Sequence, residues 1–187
     1  MLHHVRFLLL LLAACVVSPA LAATDMFLEI KGIPGEAADS QHRDWIEVDS
    51  FTWGVSTQTD AATGRASGRP IAQSLVIRKV IDRASPTLYQ ACAQGQRIPS
   101  ATLAVREAGV APMDYLIVEL QDVLVSSVSL DGDAAAFPME EISLAYSKIA
   151  WKYTSTDAAG KPTTEVTASW DTGAGSSKVP TTAAVRK

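Results

Sequence analysis

Ile142-Ser-Leu-Ala-Tyr-Ser-Lys-Ile-Ala-Trp-Lys-Tyr153 alternates in two phases. Ile142, Leu144 and Tyr146 share one face of an extended strand, because successive side chains of a strand point to opposite faces. The next apolar series is Ile149, Trp151 and Tyr153, reached by an odd step of three across Ser147-Lys148. An odd step would turn the whole apolar set to the other face, so the stretch predicts a bulge or a sharp bend there. A strand bent in this way can serve two sheets.

The rest of the chain reads as β around that bend. Tyr115–Val128 is a second long strand whose apolar set also changes phase, and Asp131-Gly132-Asp133 with Pro138 marks the turn between the two. Met26–Ile30 alternates until Gly32 and Pro34-Gly35 stop it. Trp45–Val55 places Trp45, Phe51, Trp53 and Val55 on one side, interrupted by Glu47 and Asp49. Ser74–Ile81 carries apolar residues on both faces, the pattern of a strand covered on both sides. Thr102–Arg106 and Val166–Trp170 add two more strands, and Thr57–Arg69, rich in Gly, Ala, Ser and Thr, reads as a long exposed loop. One helix is marked: Ser85 as N-cap, Pro86 at the first helical position, a stripe of Leu88, Ala91 and Cys92, and Gly95 as the stop. Six or seven strands with one helix predict a mainly all-β fold, a two-sheet β-sandwich or flattened β-barrel with one flanking α-helix. Gly173–Lys187, rich in Ser, Thr, Ala and Gly, reads as a flexible tail.

The first residues read as a secretory signal peptide. Met1–Arg6 is basic, Phe7–Val17 is an apolar run, and Ala20-Leu21-Ala22 fits a small-x-small cleavage site. The run is too short to span a bilayer, which takes roughly 20 residues. Leu12-Ala13-Ala14-Cys15 also fits a lipobox, which would make Cys15 an acylated N-terminus and hold the protein at a membrane. Cleavage after Ala22 is the better fit, because Cys15 is followed by Val-Val-Ser-Pro rather than a polar tether. The expected organisation is a leader over 1–22, one domain over 23–172 and the tail over 173–187, with the product periplasmic or secreted. Cleavage removes Arg6 and leaves 15 basic against 20 acidic residues, net −5, which disfavours nucleic-acid phosphates as partners. It also leaves Cys92 as the lone cysteine, so packing or assembly must supply stability without an internal disulfide.

No constellation of a catalytic or cofactor site stands out. His42, the one histidine after the leader, sits in the polar segment Asp39–Asp44 and reads as a solvated loop residue; no serine occupies a Gly-x-Ser-x-Gly turn. Cys92 reads as a small core residue on the helical stripe. Asp131, Asp133, Glu140 and Glu141 form the densest acidic cluster but lack the twelve-residue spacing of a calcium loop, so they read as a solvated turn. Arg65, Arg69, Arg78, Lys79 and Arg83 have no aromatic residues among them to stack nucleobases. The expectation is a protein that is not an enzyme and holds neither cofactor nor metal.

Five ordered segments carry a resemblance. Asp25–Glu36, Ile46–Ser56, Val80–Gly95, Asp122–Ser129 and Ile142–Trp151 resemble successive signatures of the Hcp family of bacterial type VI secretion, covering Asp25 to about Trp170. The resemblance implies a two-sheet β-barrel with a helix on its flank, assembling into homohexameric rings around a channel. In that family rings stack into a propelled tube, meet spike and sheath proteins, and receive small effectors in the lumen. It further implies that Thr57–Pro70 is the extended loop through which rings contact one another, with Thr57, Gln58, Arg65 and Arg69 as its candidate residues. Ser129, Asp131 and Asp133 are the candidates for a lumen or rim turn. The leader departs from the family, whose tube proteins are loaded from the cytoplasm. That departure leaves an alternative, a periplasmic or surface-associated binding module of the same fold outside any secretion apparatus.

Overall fold

At Ser147 the long hairpin folds over and its two halves join different sheet partners. The computed structural model describes residues 24–107, 112–157, 159–174 and 176–185, so the expected leader and Cys15 lie outside it. The strands are β1 (Thr24–Ile30), β2 (Ile46–Glu47), β3 (Ser50–Thr52), β4 (Val55–Ser56), β5 (Ile71–Ala72) and β6 (Leu75–Val80). Helix α1 (Ser85–Gln94) follows, then β7 (Arg97–Glu107), β8 (Met113–Asp131), β9 (Met139–Ala145), β10 (Lys148–Thr156), β11 (Pro162–Asp171) and β12 (Ser176–Ala184).

The spine is β8. Its first half pairs with β10 as far as Gln121↔Lys148, and its second half pairs with β9 from Leu124↔Ala145. Between these ladders Asp122 takes a positive φ of 54°, and the Ser147 amide donates to the Gln121 carbonyl at 3.1 Å. The phase break in the sequence is therefore a kink matched on both strands. From the first half the sheet runs β10-β11-β12 on one side and β7-β1-β2 on the other; from the second half it runs β9-β6-β3. The ladder β12-β11-β10-β8-β7-β1-β2 does not close among the described residues, so the architecture is an open, folded sheet rather than a closed barrel. A second, two-stranded sheet is made by β4 and β5.

The core lies in the fold. Leu28, Leu103, Leu120 and Ile149 come from one part of the sheet, and Leu75, Ile77, Ile142 and Leu144 from the other. Ile46 and, from α1, Leu88 and Ala91 complete it. Each fully buried aliphatic side chain contributes roughly 1.5–3 kcal/mol. The helix ends as expected, with Gly95 in the left-handed conformation (φ 61°) that a Cβ disfavours.

Four expectations change. Trp45–Val55 is not one strand: β2 pairs with β1, β3 with β6 and β4 with β5, so the segment crosses from one part of the sheet to the other. The apolar phase also changes at the crossing: Ile46 and Val48 are buried, then Phe51 and Trp53 pack against the core, and Val55 is half exposed, while the Val48 and Asp49 amides bond the Met26 and Arg78 carbonyls on the two parts of the sheet. Ala84, not Ser85, is the N-cap, and Ser85 turns its hydroxyl inward. The Thr57–Arg69 loop is the distal part of a hairpin founded on β4 and β5, with a further bridge Thr59↔Ala66. Ser176–Ala184 is a strand along β11, not a loose tail. Its composition hid this, because a backbone ladder needs no apolar alternation.

Candidate assembly surfaces

The arm from Val55 to Ala72 is solvent-exposed along nearly all its length. Its tip is built by Asp60, whose Oδ1 accepts hydrogen bonds from the Ala62 and Thr63 amides (3.0 and 2.8 Å) and the Thr63 hydroxyl (3.0 Å). Those donors, the Thr63 amide foremost, hold the Asp60 carboxyl below the usual carboxylate range. Gln58 accepts the Ser67 amide on its carbonyl at 2.7 Å, beside the Thr59↔Ala66 bridge. Arg69 does something the sequence did not announce: its guanidinium donates to the Thr172 and Gly173 carbonyls at 3.3 and 2.9 Å. The base of the arm is thus tied to the turn after β11. Of the four candidate arm residues, Arg69 is committed within the chain, whereas Arg65 has no hydrogen-bond acceptor or ion-pair partner for its side chain among the described residues.

The second candidate turn lies elsewhere. Ser129 and Asp131 sit on β8 opposite Glu141 and Met139, and the Asp133 carboxylate accepts the Ala135 and Ala136 amides at 2.7 and 3.1 Å. All three residues are exposed. Phe137 (79%) and Leu130 (53%) are exposed beside them, two large apolar groups that the polar reading of this turn passed over. Pro138 accepts the Ile81 amide on its carbonyl, which places the turn at the C-terminal end of β6. The arm leaves from the N-terminal end of β6, so the two candidate surfaces stand at opposite ends of that strand.

Two charged networks lie toward the C-terminal end of β6. Lys79, named with the arginines of a basic stretch, is fully buried: its Nζ donates to Asp82 Oδ1 (2.6 Å), the Val80 carbonyl (2.9 Å) and Ser85 Oγ (3.1 Å), and pairs with Glu140 Oε2 (2.9 Å). Glu140, expected in a solvated turn, is buried with it and also accepts the Tyr89 hydroxyl and, at 2.8 Å, the Ser85 hydroxyl. Burial, then the nearby Glu140 carboxylate, pushes the Tyr89 phenol up to about 12. The signal was present in the alternation: Lys79 is in phase with Leu75 and Ile77, and Glu140 with Ile142 and Leu144.

His42 is likewise not solvated. It is 2% exposed, stacked on Phe27 at 4.5 Å and edge-on to Trp45 at 4.8 Å. Its Nδ1 lies 3.0 Å from Asp39 Oδ1 and its Nε2 3.1 Å from Asp114 Oδ2. The Arg106 guanidinium donates to Asp39 Oδ2 at 2.8 Å and lies over the Phe27 ring at 4.9 Å. That hydrogen bond from Arg106 holds the Asp39 carboxyl far below the usual carboxylate range. The group pins the 35–45 segment to β1, β7 and β8 as a clasp of stacked rings and ion pairs. No local pattern in the segment announced it, because its partners come from strands far away in sequence.

On the outside of this clasp is an open cleft of about 520 Å3 lined by Asp25, Glu36, Asp39, Glu47, Asp49 and Asp82, with Arg106 at its wall. It adjoins Val80 and Ile81 and therefore also lies at the C-terminal end of β6. Among the described residues no group of side chains is arranged to hold a metal ion, and no helix is long and apolar enough to cross a membrane.

Residues 27–153 match the family model described as type VI secretion system effector, Hcp. Protein hcp1 of Pseudomonas aeruginosa is 34% identical over 137 residues, 70% of this chain and 83% of that protein. The structure of a type six secretion system protein superposes with a TM-score of 0.79 at 28% identity, covering 83% of this chain and all of that one. The crystal structure of Hcp1 from Salmonella typhimurium gives a TM-score of 0.70 at 32% identity, covering 83% of this chain and 99% of that one.

Proposed function

The chain belongs to the Hcp family of type VI secretion proteins, and from that premise we propose that it is a non-enzymatic, ring-forming structural protein of the secretion-tube kind. The observation that carries this reading is the family match across residues 27–153, which runs from within β1 to within β10 and so takes in every element of the folded sheet except β11 and β12. The lone chain supports it physically. The outer strands at the ends of the ladder offer unpaired backbone, and Val80, Ile81, Leu130 and Phe137 leave apolar surface in water. A ring of copies covers both.

In this reading the ring is a homohexamer. The arm with Thr57, Gln58, Arg65 and Arg69 makes ring-to-ring contacts, and the turn with Ser129, Asp131 and Asp133 lines the lumen or its rim. Spike, sheath and effector proteins of a type VI apparatus are the partners. The leader is cleaved after Ala22, which delivers the domain 23–172 and its C-terminal strand to the periplasm or the medium. The layout of residues 1–22 favours a second reading, a periplasmic or surface-associated module of the same fold working apart from a secretion apparatus.

The test is electron microscopy of the full chain purified as its host processes it. Rings are the expected result; a protein that stays monomeric at high concentration overturns the proposal. N-terminal sequencing of the same sample reads the cleavage site, with residue 23 expected first. Mature protein retained in the periplasm and released independently of any apparatus selects the second reading.

A further inference from the structure

The geometry points to the acidic cleft as the receptor for the arm of a second copy of this chain. This rests on the ring-stacking reading and names the surface that the arm meets. Three observations carry it. First, arm and cleft stand at opposite ends of β6, a strand about 17 Å long at roughly 3.3 Å per residue. A contact between two different patches is head-to-tail, and when the rotation between copies does not close it repeats as a stack.

Second, the charges are complementary. Arg69 is occupied by the Thr172 and Gly173 carbonyls, and Asp60 by its own turn, which leaves Arg65 as the free charge of the tip. In the cleft Asp25 and Asp39 are engaged by Arg106, and Asp82 by Lys79. Glu47 and Asp49 are exposed and have no ion-pair partner among the described residues. An arginine guanidinium offers planar, paired donors to carboxylates, so Arg65 fits between them. Third, the tip is slender. Ala61, Ala62 and Gly64 flank Arg65, and no bulky side chain prevents entry into an open cleft of about 520 Å3.

The test compares four forms of the full chain, purified as the host processes them, by electron microscopy and sedimentation at low salt, where exposed charges are least screened. They are wild type, Arg65→Glu, the pair Glu47→Lys with Asp49→Lys, and the triple variant that swaps all three charges. All three substitutions are at exposed positions, and circular dichroism checks that each variant folds. The expected result is stacked rings in wild type, single rings with stacks lost in the first two variants, and stacks regained in the triple variant. Stacks that persist in Arg65→Glu overturn the inference, as does a triple variant that forms only single rings. Wild type without rings overturns the reading beneath it instead, so the two failures are distinguishable.

Discussion

Lys79 Nζ lies 2.9 Å from Glu140 Oε2, and neither side chain reaches solvent. Val80↔Met139 and Lys79↔Glu140 are cross-strand partners of β6 and β9, so the pair is a rung of the sheet turned inward. Asp82, Ser85 and Tyr89 satisfy its remaining donors and acceptors, which joins α1 to both strands. A buried ion pair of this kind is a weak source of net stability but a costly one to break, because one unpaired charge is left in a low-dielectric site.

Lys79→Met alone should therefore destabilise the domain by about 3–5 kcal/mol, and Lys79→Met with Glu140→Leu by clearly less. Urea denaturation of the three proteins reads the comparison. A double variant as unstable as the single would show that the packing, not the stranded charge, sets the cost.

The Asp39 carboxyl is held far below its ordinary value of 3.8, chiefly by Arg106. A depressed carboxylate contributes stability that is complete above its unfolded value and is lost as pH falls toward the folded one. Asp39→Asn should thus lower the urea midpoint at pH 7, and its gap from wild type should narrow below about pH 4. A gap that stays constant down to pH 2 would contradict the Asp39–Arg106 account.

Gly35 is required by a close approach. A Cβ built there would stand 2.3 Å from the Trp45 carbonyl oxygen, whereas one at Gly132 would meet only Pro138, at 3.5 Å. Gly35→Ala should cost at least about 1–3 kcal/mol, the range for overpacking, and Gly132→Ala should fall within about 0.5 kcal/mol of wild type. Thermal melts of both variants test the contrast.

Arg69 anchors the arm without contributing to the core. Arg69→Ala should leave global stability within about 0.5 kcal/mol, yet speed hydrogen exchange at the Gly64 and Ser67 amides, which bond across the arm. Unchanged exchange at both amides would mean that the Thr172 and Gly173 carbonyls do not hold the arm.

The sequence by itself determined the strand-rich class, the helix with its Gly95 stop, and the bend at Ser147, because alternation and backbone punctuation are local signals. The ordered signatures likewise carried the family. It also held, unread, the burial of Lys79 and Glu140, since each keeps phase with buried aliphatic neighbours. Only the tertiary structure decided what each segment pairs with. Trp45–Val55 looks continuous in one dimension and serves three partners in space, and Ser176–Ala184 becomes a strand only because β11 offers it an open edge. His42 is the clearest case: a histidine in a polar stretch becomes a buried clasp because Asp114 and Phe27, from distant strands, close around it. Hydrophobic period is written along the chain, whereas the partner that satisfies a buried polar group is set by which strands the fold brings together.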